Sequence, residues 1–206
     1  MVWVVFAKGL ALGFSIAAPV GPIGLLCIRR TLVQGWKSGV TSGLGAAAAD
    51  AVYGSLAAFG LSALTLLLLG AQTFLHMAGG LFLLYLGYCA FQARPAPPNA
   101  AARTGNTTGS FVSTFLLTIT NPMTIMSFAG LFAGLGIGEP SGGYWSSLLL
   151  VAGVFTGSML WWLMLCSTVN ALRERLPLHR LTVINKLSGL ILIIFGCAAL
   201  AARFGG

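Results

Sequence analysis

The sequence predicts an all-α integral membrane protein: six transmembrane helices forming two inverted three-helix repeats, with the first and fourth helices broken. Three observations carry this expectation. The chain of 206 residues is 57% hydrophobic and only 7% charged, with a mean hydropathy of +0.94, a composition outside the range of soluble domains. Apolar runs recur at about 3–27, 39–65, 66–92, 110–136, 146–170 and 183–203, each near the roughly 20 residues that a bilayer crossing needs. Two of the runs, the first of each half, carry prolines at mid-depth. The expected organisation is one transmembrane domain, with repeat one at 1–92, a linker at 93–109 and repeat two at 110–206.

The first run is interrupted by Pro19-Val20-Gly21-Pro22. Proline lacks the N–H and clashes with the preceding turn, so a helix from about Trp3 should falter near Pro19 and restart with Pro22 at its first position. Non-helical backbone at membrane depth survives only where protein or a water-filled cavity covers it. A restarted helix would turn free N–H groups and a positive dipole end toward that cavity. Lys8 lies near the outer end, where its long side chain can snorkel to the interface. Arg29 and Arg30 are read as interfacial anchors, with one of them meeting a substrate carboxylate as the alternative. The start lacks a basic region, a short apolar core and a small-residue cleavage site, so the first run is expected to be retained.

The second run opens with Gly35, Gly39 and Gly43 at four-residue spacing, which lets helix backbones approach closely. Asp50 follows, the only acid inside any apolar run. It lies about 13 residues past Lys37, or roughly 20 Å into the membrane at about 1.5 Å per residue. A carboxylate at a helix centre costs about 2.5–3.5 kcal/mol, which marks such a residue as a site candidate. The competing reading is an acid paired with a buried donor to join two helices. Tyr53, one turn on, shares that face. The third run carries His76 near its start, read as incidental. The segment from Arg94 to Gly109, rich in Pro, Asn, Thr, Gly and Ala, reads as a linker.

The fourth run holds Thr118-Ile119-Thr120-Asn121-Pro122. Asparagine is a favoured helix cap and proline a favoured first helical residue, so Asn121-Pro122 predicts a second broken helix. Gly130, Gly134 and Gly138 repeat the four-residue spacing; Gly153 and Gly157 come next in the fifth run, and Gly189 and Gly196 in the last. Cys27, Cys89, Cys166 and Cys197 all fall in apolar runs without metal-ligand spacing and read as small buried hydrophobes.

Charge supplies topology. The net charge of +8 forms no patch among aromatics, so nucleic acid is not an expected partner. Arg29, Arg30 and Lys37 come after the first run, Arg94 and Arg103 after the third, and Arg173, Arg175, Arg180 and Lys186 after the fifth. By the positive-inside rule these connections are cytoplasmic and both termini lie outside.

The halves correspond by position. Pro22 pairs with Pro122 and Gly45 with Gly153, which sets Ser158 opposite Asp50 and Trp161 opposite Tyr53. Gly80 and Gly87 pair with Gly189 and Gly196 at one shared separation. With three runs per half, the second half enters the membrane from the opposite side, an inverted repeat whose substrate sites sit near the midplane between discontinuous helices.

Pro19-Val20-Gly21-Pro22, Arg30, Gly35, Gly39, the run from Gly43-Leu44-Gly45 to Asp50 and Tyr53, and later Thr120-Asn121-Pro122-Met123-Thr124-Ile125 with Phe128 resemble the LysE/RhtB family of bacterial amino-acid exporters. The likeness spans essentially the whole chain, although the family's usual Pro-Gly-Pro is extended here to Pro-Val-Gly-Pro. It implies export of an amino acid or close derivative across the inner membrane by proton antiport, and no cofactor. The expected partners are the amino-acid substrate, protons and membrane lipid, and the small-residue faces allow a homodimer. The expected site comprises Asp50, Pro19, Gly21, Pro22, Tyr53, Thr118, Thr120, Asn121 and Pro122. Asp50 would take the substrate ammonium group or a proton, and the helix N-termini at Pro22 and Asn121-Pro122 would take the carboxylate. The wider superfamily includes metal-cation exporters, so a cation cargo is the alternative. Asp50 has no neighbouring His, Glu or Cys at ligand spacing, which disfavours it. A membrane-embedded enzyme would need a nucleophile with a base or a metal cluster, and His76 and His179 both lie near run ends. A non-transporting scaffold would have no use for two breaks and an acid at depth.

Overall fold

The computed structural model describes residues 2–19, 21–59, 72–92, 106–121, 124–128, 143–173 and 178–201. Among them lie helices α1 (Val2–Ala17), α2 (Pro22–Gln34), α3 (Trp36–Ala58), α4 (Gln72–Gln92), α5 (Thr107–Ile119), α6 (Gly143–Arg173) and α7 (Leu178–Ala201). A further helical stretch covers 124–128, and no strand occurs among the described residues.

The first apolar run breaks where its prolines lie. Helix α1 ends at Ala17, and α2 begins with Pro22 at its first position, bent by 80° from α1. The turn is sharper than a proline kink, and it changes the fate of the residues beyond it. Arg29 and Arg30, expected at the interface, lie on a helix that runs on to Gln34 across the bundle, and each is only 7% exposed. Gly35 then turns the chain into α3 at φ 97°, a region favouring glycine. It therefore acts as a hinge residue, whereas Gly39 and Gly43 lie within α3 against Thr31 and Trp162.

The fourth run also breaks. Helix α5 is capped by Asn106, whose side chain accepts from the Gly109 N–H, and stops at Ile119. The Thr124 and Ile125 N–H groups then both bond the Asn121 carbonyl, which opens the next helical stretch. Pro122 lies outside the described residues.

Helix α1 packs against α6, α5 against α3, α3 against α6, and α4 against α7. Glycines set these crossings. A Cβ on Gly153 would meet Leu10 N at 2.8 Å and Gly9 Cα at 2.9 Å, so α1 and α6 touch backbone to backbone. Between α4 and α7, Gly80 faces the Gly196 carbonyl and Gly87 the Gly189 carbonyl, each reciprocally. The main apolar cluster joins Ile23, Leu26, Cys27, Ala46, Leu83, Leu117, Trp162, Cys166 and Leu192. Cys27 and Cys166 are buried as expected, whereas Cys89 and Cys197 are exposed, and all four are free thiols.

By length and hydropathy, 144–172 is the one described helix able to cross a bilayer alone, and the bent pair 3–17 and 22–34 meets the same measure together.

Candidate functional site

The two breaks open onto one cavity of about 250 Å³. Its wall is built from the α1–α2 turn (Pro19, Gly21, Pro22, Ile23, Gly24), the middle of α3 (Ala46, Asp50), the end of α5 with the stretch just beyond it (Thr118, Asn121, Thr124, Ser127), and Trp162 of α6. Six of the nine predicted site residues therefore share it. The first-turn N–H groups of a helix have no partner within that helix, and Ile23 and Gly24 of α2 both line the wall. Gly21, the N-cap, makes no side-chain cap bond and would admit a Cβ with nothing within 4 Å.

Asp50 is 3% exposed. Ser158 of α6 donates to its Oδ2 at 2.6 Å, and Trp162 Nε1 donates to Ser158 Oγ at 3.1 Å. Neither α6 residue stood out as a site candidate, because a serine and a tryptophan in an apolar helix carry no local signal. The repeat correspondence did set Ser158 opposite Asp50. Thr124 and Ser127, just past the second break, were also not among the predicted site residues.

Tyr53 and Thr120 do not line the cavity. The Tyr53 hydroxyl donates to the Ile119 carbonyl at 2.5 Å, and Thr120 Oγ1 donates to the Leu116 carbonyl at 2.8 Å. Both serve the end of α5, where carbonyls lose their helical partners. Tyr53 also stacks on Phe128, with ring centroids 5.4 Å apart.

About two turns from Asp50 on α3, Arg30 sits in a cage of hydroxyls. Its Nη1 donates to Ser42 Oγ (2.9 Å), the Ser110 carbonyl (2.9 Å) and Thr114 Oγ1 (2.8 Å), and its Nη2 to Ser113 Oγ (2.7 Å). Ser42 and Thr114 each spend their own proton on a carbonyl one turn back, so their lone pairs face the guanidinium. Arg29 Nε donates to Asn185 Oδ1 of α7 at 3.1 Å. Arg30 thus ties α2 to α3 and α5 through a planar fork that lysine cannot reproduce. Arg30→Lys is expected to lose about 2–4 kcal/mol of stability, since bonds to a charged donor contribute about 1.5–3 kcal/mol each and less within membranes. A thermal melt of the purified protein in detergent checks this, with Lys37→Ala at exposed Lys37 as the control that should not shift.

Residues 14–203 match the family model described as LysE type translocator. The chain belongs to that family. Three relatives match over most of the chain. One from Bacillus subtilis (strain 168), named "Putative amino acid efflux protein YcgF", is 28% identical over 196 residues, covering 93% of each chain. The "Uncharacterized membrane protein YahN" of Escherichia coli (strain K12) is 25% identical over 173 residues, 82% of this chain and 76% of that one. The "Chemotactic transduction protein ChpE" of Pseudomonas aeruginosa is 28% identical over 206 residues, 97% of this chain and 98% of that one. No solved structure matches. As a LysE translocator with an all-helical fold, this is a membrane transport protein.

Proposed function

We propose that this LysE translocator exports an amino acid or close derivative from the cytoplasm in exchange for protons, with Asp50 as the coupling group. The observation that carries the reading is the convergence of a buried acid and two helix breaks on one cavity. The unpaired amides at the start of α2 would hold the substrate carboxylate, assisted by the break at Asn121-Pro122. Asp50 would meet the ammonium group or, in its absence, a proton. One carboxylate that takes either cation couples the two fluxes by competition. Thr118, Thr124 and Ser127 supply further polar contacts on the wall. The name of the Bacillus subtilis relative, an amino acid efflux protein, favours amino-acid cargo.

The same reading takes the chain as six spans in two inverted repeats, with both termini outside the inner membrane. Exchanging the halves turns the α1·α6 packing into α5·α3 and maps α3·α6 and α4·α7 onto themselves, which is the pattern a two-fold axis in the membrane plane produces. Asp50 and Ser158, set opposite each other by the repeat and hydrogen-bonded across 108 residues, would then lie at that axis, beside the cavity. Alternating access would rock one repeat against the other around it.

Efflux of radiolabelled amino acids from proteoliposomes carrying the purified protein tests the reading. At least one amino acid should leave faster when protons are more concentrated outside than inside, and protein-free vesicles should not respond. Movement of a divalent cation with no amino acid flux would instead transfer the site to a metal cargo.

A further inference from the structure

Asp50 is held on one oxygen only. Ser158 engages Oδ2, and no other hydrogen bond reaches the carboxyl group among the described residues. No buried side-chain oxygen or nitrogen there lacks a partner, so Oδ1 is reached from the cavity that Asp50 lines. The chain behind Oδ2 has a fixed direction. An indole N–H donates and cannot accept, so Trp162 must give its proton to Ser158 Oγ, and the single hydroxyl proton of Ser158 goes to Asp50. Ser158 is fully buried, and Trp162, whose ring forms part of the cavity wall, is only 4% exposed.

Protonation is therefore unequal at the two oxygens. A proton on Oδ2 would either point at Ser158 Oγ and turn the hydroxyl's own proton away, or leave Ser158 donating to the acid's hydroxyl oxygen, a poorer acceptor than a carbonyl. A proton arriving from the cavity on Oδ1 leaves every bond behind the carboxyl intact. We propose that Ser158 and Trp162 are positioning residues that reserve Oδ1 as the single proton-exchange point of Asp50. On the reading that Asp50 couples transport, proton and cargo ammonium then exclude one another at one atom.

Other groups near Asp50 do not substitute for this relay. Helix α3 itself brings Tyr53, whose hydroxyl is committed to Ile119. From α2 come Cys27, Arg29 and Arg30, the last two bonded to Asn185 and to the hydroxyl cage. Helix α5 carries no titratable residue, and α6 carries Tyr144 near its start, with Cys166 and Arg173 well beyond Ser158.

Infrared difference spectroscopy of the protein in lipid, titrated with pH, tests the proposal without any substrate. The carboxyl C=O band of Asp50 is assigned by its disappearance in Asp50→Asn. With the proton on Oδ1, the carbonyl is Oδ2 and accepts from Ser158. Ser158→Ala should therefore move the band to higher wavenumber and shift the pH at which it appears upward by about 1 unit, as the ionised form loses a donor. Trp162→Phe keeps a ring in the core, frees the hydroxyl to rotate, and should shift both in the same sense by less; it answers the question if Ser158→Ala is not recovered folded. A band unmoved in frequency and in pH by the removal of either donor overturns the proposal. Vesicle efflux separates the layers: the expected spectra without amino-acid flux would leave the relay standing and remove the exporter reading, and flux with unmoved spectra would do the reverse.

Discussion

Asp50→Asn is expected to leave a folded protein that no longer couples export to the pH gradient. An amide cannot take a proton at working pH, so the substituted site is locked in the neutral state that the wild type reaches only when protonated. It also offers a cargo ammonium a dipole in place of a charge. Both halves of the competition are removed together. With one proton exchanged per cargo, a gradient of 2 pH units would sustain roughly a hundredfold cargo gradient, about 2.7 kcal/mol. In proteoliposomes the wild type should approach that accumulation, and the variant should reach only equality across the membrane. Stability should not fall. A carboxylate at mid-depth costs about 2.5–3.5 kcal/mol, and the asparagine keeps a carbonyl to accept from Ser158, so the melting midpoint should stay or rise. Proton-coupled export that survives unchanged in Asp50→Asn would remove Asp50 from the mechanism while leaving LysE membership untouched.

Asp50 was legible because nothing else in its run is charged, and the two breaks because proline writes its effect locally. The ends of α1 and α5 and the start of α2 fall close to where the prolines and Asn121 put them. The 80° turn was not legible. Local propensity says that a helix stops, and the direction in which the next one leaves depends on what receives it. Here α2 is received by hydroxyls of Ser42, Ser113 and Thr114 on two other helices, spread through the sequence without a motif. The same gap explains why the sequence reads Arg29 and Arg30 as interfacial anchors and not as buried donors. Tyr53 was correctly placed one turn from Asp50, but spacing along α3 could not reveal that the open carbonyl at the end of α5 would claim its hydroxyl. Ser158 shows the complementary case: invisible by residue type, it was set opposite Asp50 by aligning the halves alone.

The second large effect is expected at the crossing of α1 and α6, where Gly157→Leu should lower stability sharply and abolish transport. A Cβ on Gly157 would lie against the Leu10 carbonyl oxygen, with Leu10 C at 2.8 Å and Phe14 N at 2.9 Å. All of these are backbone atoms, so no side chain can swing aside, and the helices must separate. Separation also opens the neighbouring contacts at Gly9, Gly13 and Gly153, because the four glycines form one continuous close approach. Overpacking of this kind costs about 1–3 kcal/mol for small additions and more for larger ones. A loss of about 3 kcal/mol corresponds to a fall of roughly 6–12 °C in the melting midpoint of a chain this size. The damage reaches the cavity because α1 leads into its Pro19 side and α6 carries Ser158 and Trp162, so one displacement misplaces the cavity wall and the hydrogen bond to Asp50 together. Gly54→Ala is the matched control. Its Cβ would sit 3.5 Å from Val154 side-chain atoms, an ordinary contact, and alanine favours the helix by about 1 kcal/mol over glycine. The pair of melts decides the matter: Gly157→Leu low with Gly54→Ala at or above wild type supports backbone contact at the crossing, and a Gly157→Leu midpoint equal to wild type would show that α1 and α6 do not meet there.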